Sequence, residues 1–271
     1  MSTKHYPTDL SDAEWRRLKP YVPAPKPGGR PAKYERRAIL NAIFSLVRSG
    51  CSWRMLPKDL PPWELVYFYF CQWTRQGWWE KIHAILRAQV RQKAGKKPQP
   101  TARALDSQTI SCVAPAGERS YDAAKKKMGR KRHAVVDTLG LLWLLVIHPA
   151  HIQDRDGARL VLAPLAFCLF RWRLLWADGA YAGALEAWVW TLRVSRPGVS
   201  RLRLEIVRRS QGARGWQLLP KRWIIERTFG WLSRSRRLAR DYETHIHNSQ
   251  SMVYVAMIHL MLRRLNNSGT F

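Results

Sequence analysis

Asp106 and Asp178 each follow an apolar run, Ala-Leu before the first and Leu-Leu-Trp-Ala before the second. Glu226 lies in KRWIIERTFGW, among basic and apolar residues. The chain has only 19 Asp and Glu against 47 Lys and Arg, so acids set behind apolar strands stand out. Three carboxylates gathered in one place repel one another near neutral pH unless cations lie between them. Oxygen ligands alone suit Mg2+ or Mn2+ rather than zinc. Two such ions, about 3.5–4 Å apart, support in-line attack on a phosphodiester: one activates the attacking water or hydroxyl, the other stabilises the leaving oxygen. Taken singly the acids say less. An Asp after a strand often starts a turn, and a helical Glu beside Arg is commonly a surface ion pair.

Other residues compete for the same role. Asp154 and Asp156, in HIQDRDGA, are rivals for the second carboxylate. Acids that open a helix also meet the positive end of its dipole, so both read more simply as capping residues. Asp137 reads as a hairpin-turn residue. His148 and His151 stand as candidates for a supporting role beside the acids.

The elements that must position these groups follow from periodicity. Ser11 with Glu14 predicts a capping box and a short helix through Leu18. The Pro- and Gly-rich PAPKPGGRPAK reads as a loop. A helical period then runs from Ala38 to Val47 and stops at Ser49-Gly50. A short segment from Cys51 to Leu56 precedes helices from about Trp63 to Thr74 and from about Trp78 to Gln92. This order suits a helix-turn-helix DNA reader with Trp63 to Thr74 as recognition helix. A packing or dimerisation bundle would show the same order, and most of its aromatic residues would be core in either case. The segment from Ala94 to Ala102, AGKKPQPTA, separates two regions, giving a helical domain over 1–95 and a second domain over 101–271.

In the second region the period changes. Ala102 to Asp106 reads as a strand ending on its carboxylate, and Lys131–Val136 with Leu141–His148 as a hairpin around Asp137-Thr-Leu-Gly140. Asp154–Leu169 reads as a helix, Arg173–Ala177 as a strand ending at Asp178, Ala182–Val194 as a helix and Leu202–Val207 as a strand. Leu219–Leu238 and His245–Leu265 read as closing helices. Three antiparallel strands followed by two with helical crossovers match the mixed five-stranded sheet of a ribonuclease H-like α/β fold. Its first and fourth strands are neighbours, so Asp106 and Asp178 converge on one edge.

The formal net charge is +28, which for a chain with 46% hydrophobic residues and 14 Trp implies a folded body with a polyanionic partner. The longest apolar stretches are far short of the roughly 18 residues that span a bilayer. The polar start MSTKHYPTDL carries no apolar signal core, which points to neither export nor a membrane anchor. Four scattered cysteines (Cys51, Cys71, Cys112 and Cys168) form no CxxC pair, which disfavours disulfides and structural zinc and suits a reducing cytosol. Double-stranded DNA is the expected partner. Two basic runs read as backbone clamps: Lys125, Lys126, Lys127, Arg130, Lys131 and Arg132, and then Arg222, Arg227, Arg234, Arg236 and Arg237.

Four blocks carry a further resemblance. GCSWRMLPKDLPPWELVYFYFCQWTRQGWW (Gly50–Trp79), KKKMGRKRHAVVDTLGLLWLLVIHPAHIQDRDGA (Lys125–Ala158), WADGAYAG (Trp176–Gly183) and RWIIERTFGWLSRSRRLARDYE (Arg222–Glu243) resemble the DDE transposases of bacterial insertion sequences, specifically the insertion-sequence-five type. The resemblance covers nearly the whole chain and implies an enzyme that cuts the ends of its own element and joins the 3′-hydroxyls to target DNA. The family's acids fall on Asp106, Asp178 and Glu226, 72 and 48 positions apart, with Asp106 ligating both of two expected Mg2+ or Mn2+ ions. That spacing leaves room for at most a short basic excursion around Arg193 to Gly215. The family's signature around the glutamate is Tyr, two residues, Arg, three residues, Glu, six residues, Lys. Arg222 matches its arginine, Leu219 stands in the tyrosine position, and Ser233 in the lysine position with Arg234 next to it. The resemblance further implies a homodimer on DNA, terminal inverted repeats as the bound sites, and a bacterial cytoplasmic, nucleoid-associated location. A ribonuclease H-like nuclease that never joins, and an inactive transposase-derived DNA-binding protein, remain as alternatives.

Overall fold

The computed structural model describes residues 5–24, 33–113, 117–163, 172–192, 202–208 and 221–266. It divides into two compact units: Met1–Val90 with Leu232–Ala239 and Ser251–Phe271, and Arg91–Trp231 with Arg240–Gln250.

The first unit is helical. Helix α1 (Asp12–Leu18) starts in the expected capping box, the Ser11 hydroxyl accepting from the Glu14 N–H and the Glu14 carboxylate from the Ser11 N–H. Helix α2 (Arg36–Ser49) buries Ile39, Ala42, Ile43, Leu46 and Val47 along one stripe and ends at Gly50, whose φ is +78°. A Cβ there would also lie 2.7 Å from Arg236 Cβ, so the position needs glycine for its dihedral and for its neighbour. A 3-10 turn (Trp53–Met55) leads into α3 (Trp63–Arg75) and α4 (Trp78–Lys93). Phe70, Trp73, Trp78 and Trp79 are buried in mutual ring contact, whereas Tyr67 and Phe68 reach the surface. Much of the loop predicted between Pro23 and Lys33 lies outside the described residues.

The second unit is a six-stranded mixed sheet. Strand β1 (Ala102–Ser111) pairs antiparallel with β3 (Lys127–Asp137) and parallel with β5 (Leu174–Ala177), which pairs parallel with β6 (Arg203–Ile206). Strands β2 (Ser120–Asp122) and β4 (Leu142–Pro149) both pair with β3. Gly129 of β3 pairs with Ser111 on one side and Ser120 on the other, so β2 shares with β4 the edge opposite β1. The columns therefore follow the expected five-stranded order, and β2 is the strand that periodicity missed, being too short to show an alternation.

Helices α5 (Asp154–Leu162) and α6 (Ala184–Thr191) cover one face. Leu105, Val135, Ala158, Val161, Leu175, Leu185 and Val189 form the apolar core there. Successive strand residues point to opposite faces, so Leu105 enters this core while Asp106 faces away from it, toward α7 (Trp223–Ser233).

Several boundaries differ from expectation, β3 beginning at Lys127 rather than Lys131 among them. Strand β1 runs on past Asp106 to Ser111, because β3 supplies an antiparallel partner after the parallel pairing to β5 has stopped. The helix predicted to Leu238 ends at Ser233, and Arg236–Leu238 forms a separate 3-10 turn after an extended Ser235. Tertiary bonds decide that break: Arg48 donates to the Arg234 carbonyl and Arg237 to the Cys51 carbonyl. Helix α8 (Ile246–Asn266) closes the chain. The predicted excursion from Arg193 to Gly215 lies mostly outside the described residues, apart from the stretch that holds β6.

Candidate active site

The parallel register sets Ala104 opposite Trp176, and continuing it by two residues sets Asp106 beside Asp178. Asp178 follows the last residue of β5 and caps the short turn Gly179–Tyr181, its carboxylate accepting from the Ala180 N–H at 2.9 Å. Glu226 stands in the first turn of α7. The structure brings all three acids around one group: an Arg222 guanidinium nitrogen lies 3.7 Å from Asp106, 3.7 Å from Asp178 and 3.2 Å from Glu226. Burial raises the Asp106 carboxyl to about 7, opposed by the Ser107 N–H and reinforced by the charge of Asp178. A carboxyl so placed holds its negative charge only with a cation close by.

The donor set fits a divalent ion in kind, since it offers carboxylate oxygens that already surround a positive charge. Among the described residues no three His, Cys, Asp or Glu side chains stand close enough together to hold an ion as they are; the guanidinium lies among the acids instead.

A polar network that sequence reasoning did not assemble runs along the other face of β1. Ser107 donates to Asp154 at 2.9 Å, and Lys131 lies 3.1 Å from the same carboxylate while donating to the Ile152 carbonyl. His133 meets His148 at 2.7 Å and the Tyr181 hydroxyl at 3.2 Å. Asp154 is thus not the cap of α5; Gln153 holds that position, and the Asp154 carboxylate serves Ser107 and Lys131. Its HIQDRDGA setting was the available signal, but partners on β1 and β3 cannot be seen from it. His148 bonds His133 and its neighbour's carbonyl, and His151 bonds Ser120, so neither is shown touching an acid of the triad. Asp137 accepts from the Leu139 and Leu141 N–H groups and pairs with buried Arg91, as a turn residue should. A cleft of about 460 Å³ adjoins this network, lined by Tyr121, Lys131, His151, Asp154, Arg155 and Ala180 among others, and none of the three acids lines it.

The basic runs divide sharply. Lys125, Lys126 and Lys127 are exposed at the β2–β3 turn. Arg130, Lys131 and Arg132 are buried, which corrects their reading as backbone clamps. Arg130 is spent on Asp241 and on the carbonyls of Glu118, Glu243 and Thr244, and burial lowers Arg132 to about 10. From Gly129 to Asp137 β3 is buried on both its faces, and a charge so buried must be paired. Arg237 is likewise buried, donating to Cys51. Arg227 is half-buried between the rings of Trp223 and Trp231 and donates to the Leu139 carbonyl. Arg234 and Arg236 are exposed.

A mixed sheet in this order, with acids on its two central parallel strands and on a following helix, defines a ribonuclease H-like α/β protein. A family model described as "Transposase DDE domain" matches residues 97–261, and the chain belongs to that family. A second model, described as "Putative transposase of IS4/5 family", matches residues 10–83. The chain is similar to the uncharacterized protein y4sN of Sinorhizobium fredii, 31% identical over 77 residues that make up 28% of this chain and 62% of that protein. It is also similar to the insertion element IS402 uncharacterized 16.2 kDa protein of Burkholderia cepacia, 29% identical over 112 residues, 38% of this chain and 74% of that protein. No solved structure matches the chain.

Proposed function

We propose that the protein is a transposase that binds the ends of its insertion sequence, cleaves them, and joins the freed 3′-hydroxyls to target DNA. The observation that carries this reading is the gathering of Asp106, Asp178 and Glu226 within 4 Å of one cationic group. Asp106, Asp178 and Glu226 would hold Mg2+ or Mn2+, two ions being expected, which when bound lower the pKa of the attacking oxygen and stabilise the leaving one. The chain's own part is positioning. The β1–β5 pairing fixes the two aspartates side by side, and α7 brings Glu226 to them. A carboxyl at about 7 such as Asp106 surrenders its proton readily when a cation arrives.

Lys125, Lys126, Lys127, Arg234 and Arg236 are the exposed cations of the two runs that remain as clamps for the DNA backbone. Helix α3 is the proposed reader of the element ends, with the division into a helical end-binding domain over 1–95 and a catalytic domain over 101–271. A homodimer on DNA is proposed because two ends must be held together for joining. No described helix is long and apolar enough to cross a membrane, and a location with the DNA in the bacterial cytoplasm completes the proposal.

The test is Asp106→Asn on paired element ends. It should lose cleavage and joining by at least about a thousandfold, in line with several kcal/mol of lost charge stabilisation, while end binding persists. Normal cleavage by this variant would sink the reading. Wild-type protein that cuts but never joins would identify a nuclease, and binding without metal-dependent cutting would identify a DNA-binding derivative.

A further inference from the structure

Arg222 occupies a position that its own helix does not favour. It directly precedes α7, whose N-terminal end carries partial positive charge, so a guanidinium there is repelled. The residue before it, Lys221, has φ +70°, a left-handed conformation that is unfavourable for a side chain with a Cβ. That turn is pinned from β5 and β6: Lys221 Nζ lies 3.0 Å from Glu205 and 5.4 Å from the centre of the Trp176 ring. The consequence is an arginine aimed at the acids.

Its bonding there is incomplete. The contact to Glu226 is a single hydrogen bond of 3.2 Å, and the 3.7 Å approaches to Asp106 and Asp178 are ion pairs beyond hydrogen-bond length. Nε is buried with no hydrogen-bond partner among the described residues. The planar donors of a guanidinium allow a bidentate fork with a carboxylate, and Arg222 makes one with none of the three acids. One hydrogen bond to Glu226 and the charges of Asp106 and Asp178 hold Arg222. A divalent ion held by the same carboxylates would compete with the guanidinium for them, since like charges close together repel.

We propose that Arg222 is the exchangeable counter-cation of the three acids: it holds them together in the metal-free protein and leaves them when a divalent ion binds, which frees its guanidinium for a DNA phosphate. The proposal rests on the reading of Asp106, Asp178 and Glu226 as metal-holding acids. It joins two roles in one side chain, because the cation that neutralises the acids becomes available to phosphate only when the ion is in place. By linkage, metal and DNA-end binding then strengthen each other through Arg222.

The experiment is Mn2+ titration of the full chain without DNA, followed by the paramagnetic resonance of free Mn2+, with Asp106→Asn marking the site. Arg222→Gln, which removes the competing charge, should bind Mn2+ at the Asp106-dependent site about tenfold tighter than wild type. Wild-type protein gives a second readout that needs no variant at Arg222. Its labelling by phenylglyoxal at Arg222, read by peptide mass, should rise several-fold when Mn2+ saturates the site. Mn2+ affinity that is unchanged or weaker in Arg222→Gln, or labelling indifferent to bound Mn2+, overturns the exchange and leaves the acid site standing. If Arg222→Gln fails to fold, the labelling decides alone. Absence of any Asp106-dependent Mn2+ site in wild-type protein overturns both readings.

Discussion

The Arg130 guanidinium lies 3.0 Å from the Asp241 carboxylate, with both side chains sealed from water. Asp241 also accepts from Ser249 and from the Glu243 N–H, and its backbone bridges to Cys112 at the end of β1. A residue from the most basic run of the hairpin is thereby a structural pillar joining β3 to the segment before α8. Removing one member of a buried pair strands the other charge and costs about 3–5 kcal/mol. Arg130→Met should lower stability to urea by that amount, and a loss under 1 kcal/mol would mean the pair is not buried in solution.

Lys125, Lys126 and Lys127 behave oppositely, being exposed beside the same strand. Each cation that contacts a phosphate contributes roughly 0.9 to the slope of log K against log salt. Replacing all three by Ala should lower the slope for end binding by up to about 2.7 while leaving thermal stability within the roughly 0.5 kcal/mol expected of surface changes. An unchanged slope would remove this turn from the DNA path.

The histidine pair makes the protein acid-sensitive. Burial, reinforced by neighbouring His148, pushes His133 down to about 3, and burial lowers His148 as well. In the unfolded chain both return to an imidazole value near 6.5. Below that value the unfolded chain binds protons that the folded one refuses, so stability present above about pH 6.5 is lost as the pH falls toward about 3. His133→Asn should flatten this limb by up to about 1.4 kcal/mol per pH unit at its steepest, read from urea midpoints between pH 7 and 4. A variant with the wild-type slope would show that the pair does not control it.

Gly157 sits inside α5, where Ala would ordinarily stabilise by about 0.5–1 kcal/mol. A Cβ there would lie 2.3 Å from His133 Cε1 and 2.6 Å from His148 Nε2. Both rings are buried, so overpacking of about 1–3 kcal/mol reverses the sign. Gly157→Ala should lower the melting temperature, and a rise would show that the imidazole pair can move away from the helix.

Local features were legible because their causes lie within a few residues. The capping box at Ser11 and Glu14, the helix stop at Gly50 and the hairpin turn from Asp137 to Gly140 all form where the pattern predicts. The meeting of Asp106 and Asp178 was also readable, since strand order alone makes β1 and β5 neighbours. Strand β2 and the break after Ser233 were not, because three residues show no period and because bonds from Arg48 and to Cys51 set the break.

Most of the elements, the order of the central strands and the nature of the acids follow from the sequence, because periodicity, turn chemistry and composition act over short stretches. Only the tertiary structure decided what each cation does. Arg130 finds Asp241 at a separation of 111 residues, Arg132 is enclosed by the sheet, and Arg222 is turned into the acids by a left-handed Lys221. A charge in a sequence carries no record of its depth or its partner. Burial and pairing are properties of the assembled sheet, and they separate the basic residues that hold the fold from those left to meet DNA.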